Sequence, residues 1–120
     1  MATASQVLTG LVAALHVYFL VLEMFLWTGP TGQRVFGRTA AEQEASKVLA
    51  ANQGLYNGFL AAGLAWSLLA GPAIAAPVRM FFLGCVVVAG VYGGLTATRR
   101  ILLVQALPAA LALALTLAIR

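Results

Sequence analysis

Charged residues are scarce in this sequence, and their scarcity restricts the classes of protein to which it can belong. Asp, Glu, Lys and Arg make up 8% of its 120 residues, whereas soluble proteins average about 25%. Hydrophobic residues make up 62% of the chain, so water cannot be the main solvent of the folded protein. The composition excludes an ordinary soluble domain and predicts an integral membrane protein.

Metal-ligating residues are also few, since the chain has one cysteine, one histidine and three carboxylate side chains. Cys85 has no second cysteine for an internal disulfide, so it does not indicate a redox compartment and is expected to be a small packing residue. One His and one intramembrane Glu cannot supply the three or four protein ligands of a zinc site. We therefore expect no metal and no cofactor; a haem with His16 as its sole axial ligand has no motif to support it.

Four apolar runs account for nearly the whole chain, at roughly residues 7–27, 50–70, 79–97 and 101–119. Each has about the 20 residues that a helix needs to cross ~30 Å of hydrocarbon. The apolar pattern is continuous rather than alternating, which favours helices over a barrel. We predict an all-α, four-transmembrane-helix bundle that forms a single integral membrane domain over residues 1–120. Its helices are expected at about residues 5–28, 40–70, 77–97 and 100–119.

The basic residues are scattered at helix ends, so the net charge of +4 does not indicate a nucleic-acid partner. With four spans, one side of the membrane carries five of them, namely Arg34, Arg38, Lys47, Arg99 and Arg100. The other side carries two, namely Arg79 and Arg120. By the positive-inside rule, the five lie in the cytoplasm and both termini lie outside.

The first apolar run contains two ionisable residues, within the stretch LHVYFLVLEMFLW at residues 15–27. His16 and Glu23 are seven residues apart, so at 100° per residue they fall within about 20° of each other on a helix. A carboxylate at the centre of a bilayer costs at least ~2.5 kcal/mol. Both side chains are therefore expected to face the interior of the bundle and to have partners there.

The second run offers such partners in the stretch ANQGLYNGFLA, which contains Asn52, Gln53, Tyr56 and Asn57. Their spacing places all four on one broad polar face of a helix. Because the first two helices are antiparallel neighbours, Glu23 should lie at the depth of these amides and His16 deeper. Trp27, Tyr92 and Gln105 belong to the same leaflet. The pattern predicts a polar cup open to the cytoplasm, with an outer half of plain Leu, Ala, Val and Phe.

Small residues mark the expected helix contacts, because backbones must approach closely when helices pack in lipid. Two G-x-x-x-G pairs are present, Gly54 with Gly58 and Gly90 with Gly94, and each could form either a seam within the bundle or a dimerisation surface. Thr39 and Glu42 form a capping box that predicts a helix start near residue 40. Pro108 predicts a kink in the last helix.

Three longer segments resemble a known family: LHVYFLVLEMFLWTGPTGQRVFG, KVLAANQGLYNGFLAAGL and GVYGGLTATRRILLVQALPA. They are similar to the small bacterial integral-membrane family called domain of unknown function 1304, and the similarity covers nearly all of the chain. The resemblance implies four membrane helices in the bacterial cytoplasmic (inner) membrane. It also implies signature positions at His16, Glu23, Asn52, Gln53, Tyr56, Asn57 and Gln105, and it implies no activity.

The leading functional hypothesis is that the cup binds a lipophilic small molecule and converts it by isomerisation or epoxide opening. Glu23 would be the general acid or base and His16 a second proton carrier. Hydrogen-bonding and aromatic side chains would bind the substrate. These are Asn52, Gln53, Tyr56, Asn57, Trp27, Tyr92 and Gln105.

Other interpretations remain open at this point. The protein could be a proton-coupled transporter acting as a homodimer, with Glu23 of each subunit on a shared path, or a structural membrane subunit whose polar groups are all internally bonded. Glu23 could reach the interface or pair with Arg99 or Arg100, and His16 could bond a helix carbonyl. The expected partners are thus the lipid bilayer, a lipophilic small molecule and a second copy of the chain.

Overall fold

A computed structural model of the protein describes residues 2–119, and all regular structure in that range is helical. The helices are α1 (Ala2–Met24), α2 (Pro30–Phe36), α3 (Ala40–Leu69), α4 (Pro72–Thr96) and α5 (Leu107–Ala118). A π-helical segment, Leu102–Ala106, leads directly into α5. The all-α class predicted from the sequence is confirmed. Arg120, one of the two basic residues assigned to the outer side, lies outside the described residues.

The connection after α1 contains more structure than the sequence suggested. The helix ends at Met24, so Trp27 follows it rather than belonging to it, and the short α2 lies between the first two helices that the sequence predicted. Pro30 occupies the first turn of α2, where its missing N–H removes no helical bond. Gly37 ends α2 in the left-handed conformation, with φ of 64°.

The start of α3 follows the capping box. The backbone N–H of Thr39 donates to Glu42 Oε1 at 2.9 Å, and the N–H of Glu42 donates to Thr39 Oγ1 at 3.2 Å. The helix begins at Ala40, as the sequence predicted. Reciprocal bonds of this kind satisfy two amide groups that the first helical turn leaves without partners.

Helix α4 begins at Pro72, earlier than the expected start near residue 77. Pro72 occupies the first turn of α4, where proline is tolerated, and Pro77 lies inside the helix. Near the other proline, Pro108, the structure forms the π-helical segment, in which Leu107 N–H bonds to the carbonyl of Leu102. This wider turn ends two residues before Pro108, the residue that was expected to cause a kink.

Two of the described helices, α1 and α4, are long and apolar enough to cross a membrane by length and composition. Helix α3 has 30 residues, but its first half is rich in Glu, Gln and Asn. The final apolar stretch, Leu102–Ala118, is shorter than a full span. The structure thus gives an all-α protein with two candidate membrane spans, and four spans remain a prediction.

The chain forms two compact units. The first unit comprises Met1–Ala14 and Leu60–Arg120, and its core consists of Val12, Leu64, Leu83, Val86, Ala109 and Ala112. A Cβ atom at Gly90 would lie 2.7 Å from the backbone N of Ala106, so α4 and the π-helical segment touch backbone to backbone there. The pair Gly90 and Gly94 therefore lies at a contact inside this unit.

The second unit is Leu15–Phe59. A Cβ atom at Gly54 would lie 2.7 Å from Met24 Cγ and 3.0 Å from Glu23 Cβ, and one at Gly58 would lie 2.7 Å from Leu20 Cδ1. Both glycines thus let α3 approach the end of α1 closely. The pair Gly54 and Gly58 therefore also lies at an internal contact, which favours a packing seam over a dimerisation surface for the motif.

Candidate functional site

The second unit contains a buried carboxylate held by two amides. Glu23, in the last turn of α1, is only 4% exposed. Gln53 Nε2 donates to Glu23 Oε2 at 2.7 Å, and Asn57 Nδ2 donates to Glu23 Oε1 at 2.5 Å. We call these three residues the carboxylate cluster. Each oxygen of the acid thus has its own N–H donor, which compensates for the loss of water around it.

The local sequence explains this geometry. Gln53 and Asn57 are one helical turn apart on α3 and therefore lie on the same face. Gly54 and Gly58 follow them directly and bring that face within reach of α1. A side-chain amide can present either its N–H₂ or its carbonyl to a neighbour. The two amides can therefore bond to Glu23 in its ionised or its protonated form, which suits a group that exchanges protons.

An open pocket of about 340 Å³ adjoins Glu23 in the same unit. Most of its wall is apolar, and polar groups are contributed by Glu23, Trp27, Thr28 and Lys47. The complete lining is Glu23, Met24, Phe25, Trp27, Thr28, Lys47, Val48 and Ala51. An apolar pocket with a few polar groups is typical of small-molecule sites.

Trp27 is fixed at this pocket by three contacts. Its indole Nε1 donates to Ser46 Oγ at 3.1 Å, and its backbone carbonyl accepts from Gln43 Nε2 at 2.9 Å. Its ring packs on Phe36 of α2, with 4.6 Å between the ring centroids. The short helix α2 thus supports one wall of the pocket.

Three other predicted site residues of the second unit lie outside the carboxylate cluster. Asn52 and Tyr56 are exposed, and the Tyr56 ring contacts Phe59 with centroids 5.7 Å apart. His16 is fully buried and meets Phe19 edge to face at 5.3 Å. Its seven-residue separation from Glu23 corresponds to about 10 Å along the helix, too far for direct proton transfer.

Two further predicted binding residues belong to the first unit. Tyr92 is 70% exposed on α4. Gln105 is partly buried in the π-helical segment. Of the predicted set, the structure therefore brings together Glu23, Gln53 and Asn57, with Trp27 at the adjoining pocket. The proposed chemical roles of all these residues remain predictions.

Sequence reasoning missed Gln43 and Ser46, which position Trp27. Gln43 is fully buried, and its Oε1 atom has no hydrogen-bond partner within the described part of the chain. A signal for Gln43 was present, because it shares a helical stripe with Ala50, Gly54 and Asn57 at spacings of seven, four and three residues.

The first unit contains a second buried polar group, which corrects the expectation of a plain apolar outer half. Arg79, assigned from the sequence to a helix end, is 6% exposed. It lies among three fully buried hydroxyl residues, Ser5, Ser67 and Thr116. We call these four residues the guanidinium cluster. The sequence signal was weak, since Ser5 precedes the first apolar run and each of the other three runs contributes only a single residue of the cluster near one end.

Comparison with known proteins decides the family. The family described as "Protein of unknown function (DUF1304)" matches residues 10–117. The chain belongs to DUF1304. This match includes the carboxylate cluster and every member of the guanidinium cluster except Ser5.

A curated relative is similar over nearly the same length. It is the "Uncharacterized protein YpaA" of Lactococcus lactis subsp. lactis (strain IL1403), 36% identical over 109 residues that cover 89% of this chain and 91% of the relative. No solved structure matches the chain. Neither the DUF1304 description nor the name of the relative states an activity, so a function has to be argued from the site.

Within residues 2–119, no group of three or more His, Cys, Asp or Glu side chains is placed to hold a metal ion. Glu23, Thr28 and Lys47 contribute a carboxyl, a hydroxyl and an ammonium group to the pocket lining, and the amides of Gln53 and Asn57 bond to Glu23.

Proposed function

We propose that this DUF1304 protein is a multi-pass protein of the bacterial cytoplasmic membrane that binds a lipophilic small molecule and converts it by proton transfer. Four stretches would cross the bilayer, namely α1, α3, α4 and the final apolar helix, with both termini outside. The observation that carries the functional part is the buried carboxyl group of Glu23, held by two amides at the wall of an apolar pocket.

The distribution of side chains supports the membrane placement. Large apolar side chains are exposed in rows along the helices rather than covered by protein. They include Val7 and Leu11 on α1, Phe81, Val88 and Leu95 on α4, and Leu103, Leu107 and Leu111 in the final helix. The fully buried positions include Ser5, Thr9, His16, Gln43, Ser67 and Thr116. Exposed apolar rows around a partly polar interior suit lipid and would aggregate in water.

The lining of the pocket indicates the class of substrate. Met24, Phe25, Val48 and Ala51 offer apolar contact, while Thr28 and Lys47 can donate hydrogen bonds to one oxygen atom. A lipophilic molecule with a single carbonyl, epoxide or hydroxyl group fits this combination.

For a β,γ-unsaturated ketone, the ionised Glu23 would remove a proton from the carbon between the carbonyl and the double bond. The negative charge would move to the carbonyl oxygen, where Thr28 or Lys47 would stabilise it. Protonated Glu23 would then return the proton to the γ carbon, giving the conjugated ketone without net change in the enzyme. Gln53 and Asn57 would hold Glu23 in both states. His16 is not needed for this sequence of steps.

The test uses 5-androstene-3,17-dione and styrene oxide as probes, with the protein reconstituted in lipid vesicles. We expect wild type to raise the rate of ketone conjugation, measured by ultraviolet absorbance, or of diol formation, measured by chromatography. Glu23→Gln should abolish that rate, while Glu42→Gln should retain it because Glu42 is exposed and bonds to Thr39 at the start of α3, outside the pocket lining.

Equal rates for wild type and Glu23→Gln would contradict the proposal. Turnover of neither probe, combined with Glu23-dependent proton movement across the vesicle membrane, would also contradict it and would favour the proton-coupled transporter. A dimer in native mass spectrometry would add support to that alternative.

A further inference from the structure

The guanidinium cluster contains a cation whose hydrogen bonds are long and incomplete. Arg79 Nε lies 3.4 Å from Ser67 Oγ, Nη1 lies 3.5 Å from Ser5 Oγ, and Nη2 donates to the Ser67 carbonyl at 3.1 Å. A guanidinium group has five N–H donors. Among residues 2–119, three bonds to neutral oxygens, two of them near the distance limit, leave much of this donor capacity available.

The hydroxyl groups around Arg79 are held in place by the helices. Thr116 Oγ1 donates to the Ala112 carbonyl at 2.8 Å, so the hydrogen of its 2.7 Å bond with Ser5 comes from Ser5. Ser67 Oγ donates to the Leu64 carbonyl at 2.6 Å. Each of the three hydroxyl hydrogens is already donated to another oxygen. The hydroxyl oxygens can therefore only accept hydrogen bonds from Arg79.

The first unit contains no side chain that could neutralise Arg79. The three carboxylate side chains of the sequence are Glu23, Glu42 and Glu44, and all belong to the second unit. Burial of a cation without a counter-charge carries a large desolvation penalty. The neutral oxygens at 3.1–3.5 Å compensate for only part of this cost.

We propose that Arg79, framed by Ser5 and Ser67, binds one oxyanion of the phosphate class, presented by a phospholipid headgroup or as free phosphate. The free N–H donors of a guanidinium match two oxygens of one phosphate, which is the usual bidentate contact.

The positions of the cluster within the helices favour phosphate. Ser5 lies in the first turn of α1, Ser67 in the last turn of α3 and Thr116 in the last turn of α5. All three are within about 5 Å of a helix end, the depth at which headgroups meet a spanning helix. Arg79 itself lies about 10 Å from the start of α4, and its guanidinium reaches Ser5 and Ser67. The inference takes from the proposed function only the membrane placement and is independent of the chemistry at Glu23.

The experiment measures the melting temperature, Tm, of the protein in maltoside micelles, which contain no phosphate. Phosphatidylglycerol, phosphatidylcholine or diacylglycerol is added in separate arms, and inorganic phosphate is compared with chloride at equal ionic strength. Native mass spectrometry counts retained lipid molecules. Every version carries the same C-terminal tag, which displaces the terminal carboxylate equally.

We expect the Tm of wild type to rise with a phospholipid or with phosphate, and not with diacylglycerol or chloride. Arg79→Gln should lose this rise and bind the lipid at least about tenfold more weakly, since a hydrogen bond to a charged group contributes about 1.5–3 kcal/mol. Arg79→Lys should keep part of it. Arg100→Gln, an exposed arginine of the same unit, should match wild type.

A rise with phosphate alone would assign the site to the free ion, and a rise with phospholipid alone would assign it to a headgroup. Equal responses of wild type and Arg79→Gln, or no response in any arm, would overturn the inference. Should Arg79→Gln not fold, equal responses of wild type to phospholipid and diacylglycerol would still overturn it. Glu23→Gln should respond as wild type does, which separates this test from that of the proposed function.

Discussion

The carboxylate cluster and the guanidinium cluster each bury an ionisable side chain, and they differ in how hydrogen bonds replace the water around it. In the carboxylate cluster, both oxygens of Glu23 receive short bonds from Gln53 and Asn57. In the guanidinium cluster, Arg79 has only neutral acceptors, two of them at 3.4 and 3.5 Å. Among the described residues, the acid has a short bond at each oxygen, whereas the cation is compensated only in part. This difference is the basis of the proposed oxyanion site at Arg79.

Removal of both amides that bond to Glu23 should change the free energy of unfolding more than any other substitution that we propose. Gln53→Leu combined with Asn57→Leu leaves Glu23 buried without donors, and we expect a loss of about 4 kcal/mol in the free energy of unfolding. Adding Glu23→Leu should restore most of it, because no unpaired polar group then remains. Urea unfolding in micelles measures the series. Full stability of the double variant would mean that Glu23 has other compensation.

The helix contacts of the two units should differ in how much a Gly→Ala substitution destabilises them. A Cβ at Gly90 would meet the Ala106 backbone, so Gly90→Ala should cost about 2–3 kcal/mol in unfolding free energy. At Gly54 the nearest atom is the flexible Met24 Cγ, and Gly54→Ala should cost less. Gly84→Ala is the control, since that position is open and should gain up to about 1 kcal/mol of helix propensity. Equal costs at Gly54 and Gly90 would contradict this ranking.

Replacement of Arg79 should change the free energy of unfolding less than loss of the two amides does, and in the opposite direction. In phosphate-free micelles, Arg79→Met should leave stability unchanged or raise it by about 1 kcal/mol, because an unpaired buried charge is replaced by apolar volume. Chemical unfolding with and without the substitution measures this. A loss of several kcal/mol would show that the hydroxyls and the Ser67 carbonyl already compensate Arg79.

Substitution of the exposed Glu42 should have the smallest effect on stability, in contrast to the changes around the buried Glu23. Hydrogen bonds, first from the Thr39 backbone N–H and then from its side chain, lower the pKa of Glu42. A lowered pKa stabilises the start of α3 above the unfolded value of about 4.3 and loses that effect as pH falls through the folded value. Hydrogen exchange of residues 39–43 should therefore be slower in wild type than in Glu42→Gln at neutral pH, with no difference in acid.

The approach of Glu23 to the amides could be predicted because it depends on periodicity and chain direction alone. Residues one turn apart share a face, and the ends of antiparallel neighbours meet at equal depth. The same reasoning failed for Asn52 and Tyr56. A polar arc of about 140° is too wide for one neighbouring helix to cover, so part of it stays exposed.

The guanidinium cluster could not be found in this way. Ser5, Ser67, Arg79 and Thr116 belong to four different helices, and their meeting depends on how those helices pack. A lone serine or threonine in an apolar run has the same pattern as a packing residue, and an arginine near the end of a run has the pattern of an interface anchor. Helix α2 was missed for a similar reason, since seven residues are too few to form a helix without tertiary support.

The π-helical segment Leu102–Ala106 leads to an expectation about how the end of the chain aligns with other members of its family. A π turn holds one residue more than an α turn, so every side chain after it is rotated by about 100° from a continuous helical wheel. A relative one residue shorter at this point would keep both flanking helical faces in register by closing an ordinary α turn. Alignments of DUF1304 members should accordingly place single-residue gaps here rather than within α5.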